Sequence, residues 1–339
     1  MSTTTSPTDL TRKDFVSDQQ VRWCPGCGDY AILNSVQTVF AQMGLPREKI
    51  VIISGIGCAA RFPYYVNSYG FHTIHGRAPA IATGLKVARP DLSVWAVGGD
   101  GDMLSIGGNH FLHALRRNVS IKILCLNNRI YGLTKGQASP TSEYGKRTNS
   151  TPLGSLDRPV HPISVALAAE ATFVARSVDI FGPHLQEILL RAANHEGSAF
   201  VEILQNCVIF NDGAWEPVTK KAGREDRVLY LEHGKPMRFG ENGSKGLRLN
   251  GLTPEVVTVG EGGVSEADLL VHDETDESLA YLLTRMDPVT CPVPLGVFHC
   301  ESDFQPYEQG VAMQLETARK AKKPDLMELI HAGDTWTVD

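Results

Sequence analysis

Trp95-Ala96-Val97-Gly98-Gly99-Asp100-Gly101-Asp102 runs an apolar strand into a glycine turn carrying a carboxylate. Ile121-Lys122-Ile123-Leu124-Cys125-Leu126-Asn127-Asn128 ends a second strand on paired amides. Between Gly101 and Asn127 lie 25 residues, enough for a helix and the next strand. Asp100 and Asn128 then sit at the carboxyl ends of adjacent strands, the edge where open α/β sheets bind ligands. A carboxylate, an amide oxygen and a backbone carbonyl are hard donors suited to Mg²⁺, which keeps phosphate oxygens as further ligands. Gly99 and Gly101 let the backbone approach a diphosphate, and amides opening the following helix favour its charge. The plain alternative is an Asp-Gly turn beside an Asn-rich strand end; the two motifs at this spacing favour the metal reading.

Outward from this stretch, apolar runs of strand length fall at 50–54, 94–98, 121–126, 173–177 and 200–204. Buried on both faces, they suit a parallel sheet. Helical patterns lie between them at 30–43, 78–88, 104–116, 162–170 and 184–194, the second stopped by Arg89-Pro90. The fold class is therefore α/β, a mostly parallel sheet flanked by helices. Residues 132–160, rich in Gly, Ser, Thr and Pro, are too long for an ordinary connection and read as a functional loop or lid. Residues 1–20 read as a mobile polar arm, 21–230 as the binding domain, and 231–339 as an extension packing on the core or a partner. The stretch 211–250 takes no element assignment, whereas the tail offers a strand and a helix at 311–321.

With 339 residues and a net charge of 32 − 38 = −6, the chain is long enough for a sizeable core and disfavours nucleic acid or an anionic membrane as partner. No run approaches the ~18 apolar residues of a membrane span, and the Ser- and Thr-rich start shows no secretory pattern. Seven cysteines, an odd number, argue against a disulfide framework and for a reducing cytoplasm.

Cys24-Pro25-Gly26-Cys27-Gly28 brings two thiols together on a loop before a helix. Alone, this spacing admits half a zinc site, a redox pair or half an iron–sulfur site. No second Cys-x-x-Cys supports zinc, and the redox pair lacks its βαβ setting. Cys58, after Ser54-Gly55-Ile56-Gly57, and Cys207, after Leu204-Gln205-Asn206, instead follow strands, as Asp100 and Asn128 do. Cys125 reads as a core residue, and Cys291 and Cys300 show no ligand pattern.

The Gly-Asp-Gly and Asn-Asn pair resembles the thiamine-diphosphate motif. In order along the chain, Trp23-Cys24-Pro25-Gly26-Cys27-Gly28, Ser54 to Cys58, His72-Thr73-Ile74-His75-Gly76-Arg77, Gly98 to Asp102 and Tyr131-Gly132-Leu133-Thr134-Lys135-Gly136-Gln137 resemble the β subunit of 2-oxoacid:ferredoxin oxidoreductases. The resemblance spans residues 20 to about 230. It implies Asp100, the Asn128 side chain and the Ile130 carbonyl as Mg²⁺ ligands, and Cys24, Cys27, Cys58 and Cys207 as ligands of one [4Fe–4S] cluster. Ile56, Gly57, Cys58, Ala59, His75, Gly99, Gly101, Asp102, Gly132 and Leu133 would line thiamine diphosphate.

The implied reaction is CoA-dependent oxidative decarboxylation of a 2-oxoacid, with the cluster relaying electrons to ferredoxin. The residues around Cys24 and 131–137 resemble the 2-oxoglutarate type, with pyruvate and branched 2-oxoacids as alternatives and reductive carboxylation as the reverse direction. His75 would donate to phosphate or shuttle a proton, Arg61 would pair with the substrate carboxylate, and Lys135 would reach substrate or CoA. Their ordinary alternatives are a satisfied buried histidine, a surface salt bridge and a solvated loop lysine. In the family the glutamate facing the aminopyrimidine comes from the α subunit, so an αβ or (αβ)2 assembly is expected and the chain alone should be inactive. Two other classes remain: a non-catalytic subunit with structural zinc, and a thiamine carboligase or decarboxylase in which the cysteines are idle.

Overall fold

The computed structural model describes residues 10–321 and 325–338. Six parallel strands form most of one sheet: β1 (Ile50–Ser54), β2 (Tyr69–His72), β3 (Ser93–Gly99), β4 (Ile121–Asn127), β5 (Phe173–Val178) and β6 (Ala199–Leu204). Two more strands, β7 (Val228–Leu231) and β11 (Val293–Cys300), complete it in the order β2-β1-β3-β4-β6-β5-β11-β7. β11 lies antiparallel to β5 and parallel to β7. A separate antiparallel sheet holds β8 (Arg238–Phe239), β9 (Lys245–Asn250) and β10 (Thr253–Thr258).

Side chains alternate across the main sheet and fill two cores. Val51, Ile53, Val94, Ala96, Ile121 and Ile123 face α3 (Ala78–Ala88), α5 (Gly108–Arg116), α6 (Pro162–Ala168) and α9 (Glu277–Thr284). Ile50, Ile52, Trp95, Val97, Leu124 and Leu126 face α1 (Asp29–Gln42), α2 (Phe62–Tyr65) and α7 (Gly182–Asn194). The helices therefore cover both faces of strands that read as continuous apolar runs, as a buried parallel sheet requires. The main expected strands and helices are present, with ends moved by one or two residues.

Three expectations change. The helix expected over 104–116 is two, α4 (Asp100–Leu104) and α5, because Gly76 and Gly107 cross at the break. A Cβ on Gly76 would lie 2.4 Å from the Gly107 nitrogen, and one on Gly107 2.5 Å from the Asp102 carbonyl. Part of the expected arm, within residues 10–20, packs on the core. Residues Arg12–Phe15 form a 3₁₀ turn whose Phe15 is buried edge-on against Phe40, while residues 1–9 lie outside the described part. Finally, 211–250 is structured, holding α8 (Glu216–Thr219) as well as β7, β8 and β9.

The tail supplies the expected strand, β11, and the helix α10 (Tyr307–Ala321), followed by α11 (Leu326–Ile330). Strand order reverses between β1 and β3: the chain leaves β1 toward β2 and returns on the other side. The loops after β1 and β3 consequently diverge and leave a crevice at the sheet's carboxyl edge.

Candidate cofactor and cysteine site

Two adjoining cavities open at that edge. The first lies between the loops after β1, β3 and β4, and its walls include Ile56, Gly57, Cys58, Ala59, His75, Gly99, Asp100, Gly101, Asp102, Asn128, Ile130, Gly132 and Leu133. The second is lined by Cys24, Cys27, Cys58, Cys207, Arg61 and Lys135 among others. Asp29, Cys58, Asn128, Gly132 and Leu133 belong to both. The structure thus gathers every expected site residue into two spaces with a common wall.

Asp100 opens α4 at the end of β3 and is 1% exposed. Ser139 and Thr141 each donate a hydroxyl to its Oδ2 at 2.6 Å. Burial pushes its carboxyl up, and these two hydroxyls pull the other way. No salt bridge reaches Asp100 among the described residues. A buried carboxylate without a cation is costly, and a divalent ion in the cavity it faces would supply the missing charge. Asn128 follows β4, the neighbour of β3. Its Oδ1 accepts from the Ile130 amide at 3.1 Å, a turn that brings the two expected oxygen donors together. The donor set fits Mg²⁺.

The cavity floor suits a close-lying cofactor. Gly57 has φ +127° and open space where a side chain would stand, so its backbone can lie against a ligand. At Gly101 a Cβ would come within 2.2 Å of the Tyr131 ring, whose hydroxyl donates to the Gly101 carbonyl at 3.2 Å. Asp102 Oδ1 accepts from the Ile56 and Gly76 amides at 3.1 and 2.8 Å, tying the β1 and β3 loops together. Its Oδ2 is buried with no hydrogen-bond partner among the described residues. His75 is exposed at the rim, not buried and satisfied.

Around the cysteines, Trp23 Nε1 donates to the Cys58 carbonyl at 2.8 Å, and Gln205 Nε2 lies 3.3 Å from Cys27 Sγ. A Cβ on Gly132 would stand 3.5 Å from Cys207 Sγ and 3.7 Å from Cys58 Sγ, so the 131–137 loop passes directly over two thiols. No three His, Cys, Asp or Glu side chains among the described residues converge into a ready metal site; the four thiols share a cavity rather than a formed ligand set. Burial, then the charge of Asp29, pushes the Cys58 thiol up to about 12, and the same two causes raise Cys27 further. A reactive dithiol needs the opposite shift. Thiolate here requires the positive charge of bound metal, which fits a cluster or zinc and disfavours a redox pair. Cys125, Cys291 and Cys300 line neither cavity.

Arg61 and Lys135 place two cations on the cysteine cavity. Arg61 donates to the Arg22 carbonyl at 3.4 Å and forms no salt bridge in the described structure, contrary to its ordinary alternative. Lys135 takes φ +74° in the tight loop closed by Tyr131 and Gln137.

Sequence reasoning missed four residues. Asp29, the first residue of α1, is buried in the common wall, and desolvation pushes its carboxyl up to about 7. Its place directly after Cys27-Gly28 was a usable signal. Tyr131 stood in the 131–137 motif and Ser139 and Thr141 in the expected functional loop, but the contacts through which they act cross the fold and are not marked locally.

Comparison with known proteins agrees with this geometry. The family described as "Thiamine pyrophosphate enzyme, C-terminal TPP binding domain" matches residues 55–203. The chain is 54% identical to the 2-oxoglutarate oxidoreductase subunit KorB of Mycobacterium tuberculosis, covering 96% of this chain and 88% of that one. It is 50% identical to 2-oxoacid:ferredoxin oxidoreductase 1, subunit beta, of Aeropyrum pernix, over 86% and 81% of the two chains. Its fold matches a solved 2-oxoglutarate:ferredoxin oxidoreductase from Magnetococcus marinus, with 2-oxoglutarate, coenzyme A and succinyl-CoA bound, at a TM-score of 0.77 and 34% identity over 96% and 97% of the chains. An α/β sheet with a diphosphate-type crevice beside four clustered cysteines, joined to identity across nearly the whole chain, places this protein in the family of 2-oxoacid:ferredoxin oxidoreductase β subunits of the 2-oxoglutarate type.

Proposed function

We propose that this chain, with an α subunit, converts 2-oxoglutarate and CoA to succinyl-CoA and CO2, passing electrons through one [4Fe–4S] cluster to ferredoxin. The observation that carries the reading is the wall shared by the two cavities, in which Cys58 belongs to both. A group in the first cavity is thereby adjacent to one in the second, as short-range electron transfer demands. Thiamine diphosphate would supply the electron sink for decarboxylation, and the cluster a one-electron acceptor.

The chain's own residues hold and orient. Asp100, the Asn128 side chain and the Ile130 carbonyl would take Mg²⁺; Gly57, Gly99 and Gly101 admit the diphosphate; Cys24, Cys27, Cys58 and Cys207 would take the cluster. His75 would donate to a phosphate oxygen. Arg61 and Lys135 would pair with carboxylate or CoA phosphate at the mouth. Residues 21–230 form the binding domain in this reading, supported by the span of cavity-lining residues from Arg22 to Phe210. Residues 231–339 add β11 to the core sheet, anchor the first turn of α10 to it through Glu308, and leave the rest of α10 and α11 for a partner. No described helix is long and apolar enough to cross a membrane; seven free cysteines support a reducing cytoplasm.

The test is the anaerobic αβ complex assayed for CoA-dependent ferredoxin reduction with 2-oxoglutarate, pyruvate and branched 2-oxoacids. Preference for 2-oxoglutarate is expected, and preference for pyruvate overturns the substrate. A brown β chain with about four irons is expected from a cluster held by four cysteines. A colourless zinc protein overturns the electron path.

A further inference from the structure

The long segment after β4 contributes more than a cover. Its Ser139 and Thr141, both buried, place two hydroxyl hydrogens on one oxygen of Asp100. Ser142 Oγ donates to the Arg129 carbonyl at 2.7 Å, and the Ser139 amide donates to Ser142 Oγ at 2.8 Å, so the turn carrying these hydroxyls is itself held. Behind it, Thr141 Oγ1 lies 3.0 Å from Asn127 Oδ1. Asn127 Nδ2 donates to Glu202 Oε1 at 2.7 Å, and Arg176 Nε donates to Glu202 Oε2 at 2.7 Å. Glu202 thus fixes which way the Asn127 amide faces, leaving its oxygen toward Thr141.

Thr141 has one proton and, besides the Ser139 hydroxyl at 3.3 Å, two acceptors within reach. A charge-assisted bond to an ionised carboxylate is the stronger, and the 2.6 Å contact to Asp100 is the shorter.

We propose that Ser139 and Thr141 are positioning residues for the divalent cation: their two hydroxyls on Oδ2 fix the plane of the Asp100 carboxylate, so that the 139–142 turn and the metal site are set together. This rests on the assignment of Asp100 as a Mg²⁺ ligand. Outer hydrogen bonds of this type typically contribute about 10–100-fold to metal affinity.

The experiment titrates Mg²⁺ into the αβ complex with thiamine diphosphate in excess, following the quench of tryptophan fluorescence. Thr141→Val and Ser139→Ala should each raise the half-saturating Mg²⁺ concentration by about 10–100-fold. Thr141→Ser, which restores the hydroxyl without the methyl, should return it to near the wild-type value. Wild-type Mg²⁺ affinity in both Thr141→Val and Ser139→Ala overturns the proposal, as does failure of Thr141→Ser to restore it. Circular dichroism melting establishes that each variant is folded; if Thr141→Val is not, Ser139→Ala and Thr141→Ser decide. A wild-type complex that binds thiamine diphosphate without any Mg²⁺ dependence removes the metal assignment itself, and the proposal with it.

Discussion

The two edges of the central sheet both bury polar groups, but they treat them differently. At the amino edge, Lys86 Nζ donates to the Pro90 and Leu92 carbonyls at 2.9 and 2.8 Å. Lys122 Nζ donates to the carbonyls of His195 and Gly197. Asn118 donates to the Phe304 carbonyl at 2.9 Å, and Glu308 accepts from the Ser120 amide at 3.2 Å. These groups close onto backbone and tie the tail to the core. At the carboxyl edge, among the described residues, Asp100 has hydroxyls but no salt bridge and Asp102 Oδ2 has no partner, and burial holds Cys27 and Cys58 away from thiolate. The first pattern is structural; the second leaves buried polar groups facing two cavities, as a ligand site does.

The sharpest way to break the comparison is at Cys58, which stands in both cavities. Cys58→Ser should abolish ferredoxin reduction and the visible absorption of the cluster. Turnover with intact absorption would remove Cys58 from the ligand set. Next in size is Asp100→Asn, which replaces the proposed metal ligand and should weaken Mg²⁺-dependent cofactor binding by more than the roughly 100-fold upper range for outer partners. Isothermal titration calorimetry reads it, and unchanged affinity would return Asp100 to a plain turn.

Lys122→Met tests the other edge. It leaves two buried carbonyls without their donor, costing about 1–3 kcal/mol, while cofactor affinity should be unchanged. The pH dependence has a definite sign. Desolvation lowers the Lys122 amine from 10.5 to about 7 in the fold, so between these values the unfolded chain binds the extra proton. The stability of the wild type relative to Lys122→Met should therefore rise as pH increases through that window, read as the difference in Tm between about pH 7 and about pH 9. A flat or falling difference contradicts it. The smallest effect is expected for Cys300→Ser, outside both cavities, which should leave the cluster absorption untouched; bleaching would redraw the cysteine assignment.

The legibility of the site followed the chemistry. Cys24, Cys27, Cys58, Asp100 and Asn128 could be picked out as cavity-lining candidates because each sits in a short motif at a strand end or loop, and the resemblance supplied their expected roles. Ser139 and Thr141 could not, because a Ser- and Thr-rich loop offers many hydroxyls and only the folded path selects two. Asp29 lay within sight of the cysteine motif, but its burial in a wall common to both cavities is a tertiary fact. β2 escaped notice because its four residues are all exposed, so no alternation marks them. Phe15 looked like part of a polar arm until Phe40 gave it a partner.

By itself, then, the order of residues determined the alternating strands and helices and the two strand-end motifs, since these depend on local periodicity and on residue type at a fixed spacing. Only the tertiary structure decided that the cysteine and diphosphate motifs share a wall and which hydroxyls meet Asp100. It also decided that the tail completes the sheet through β11. Each of these is set by the packing of segments distant in sequence, and such packing leaves no trace in local spacing.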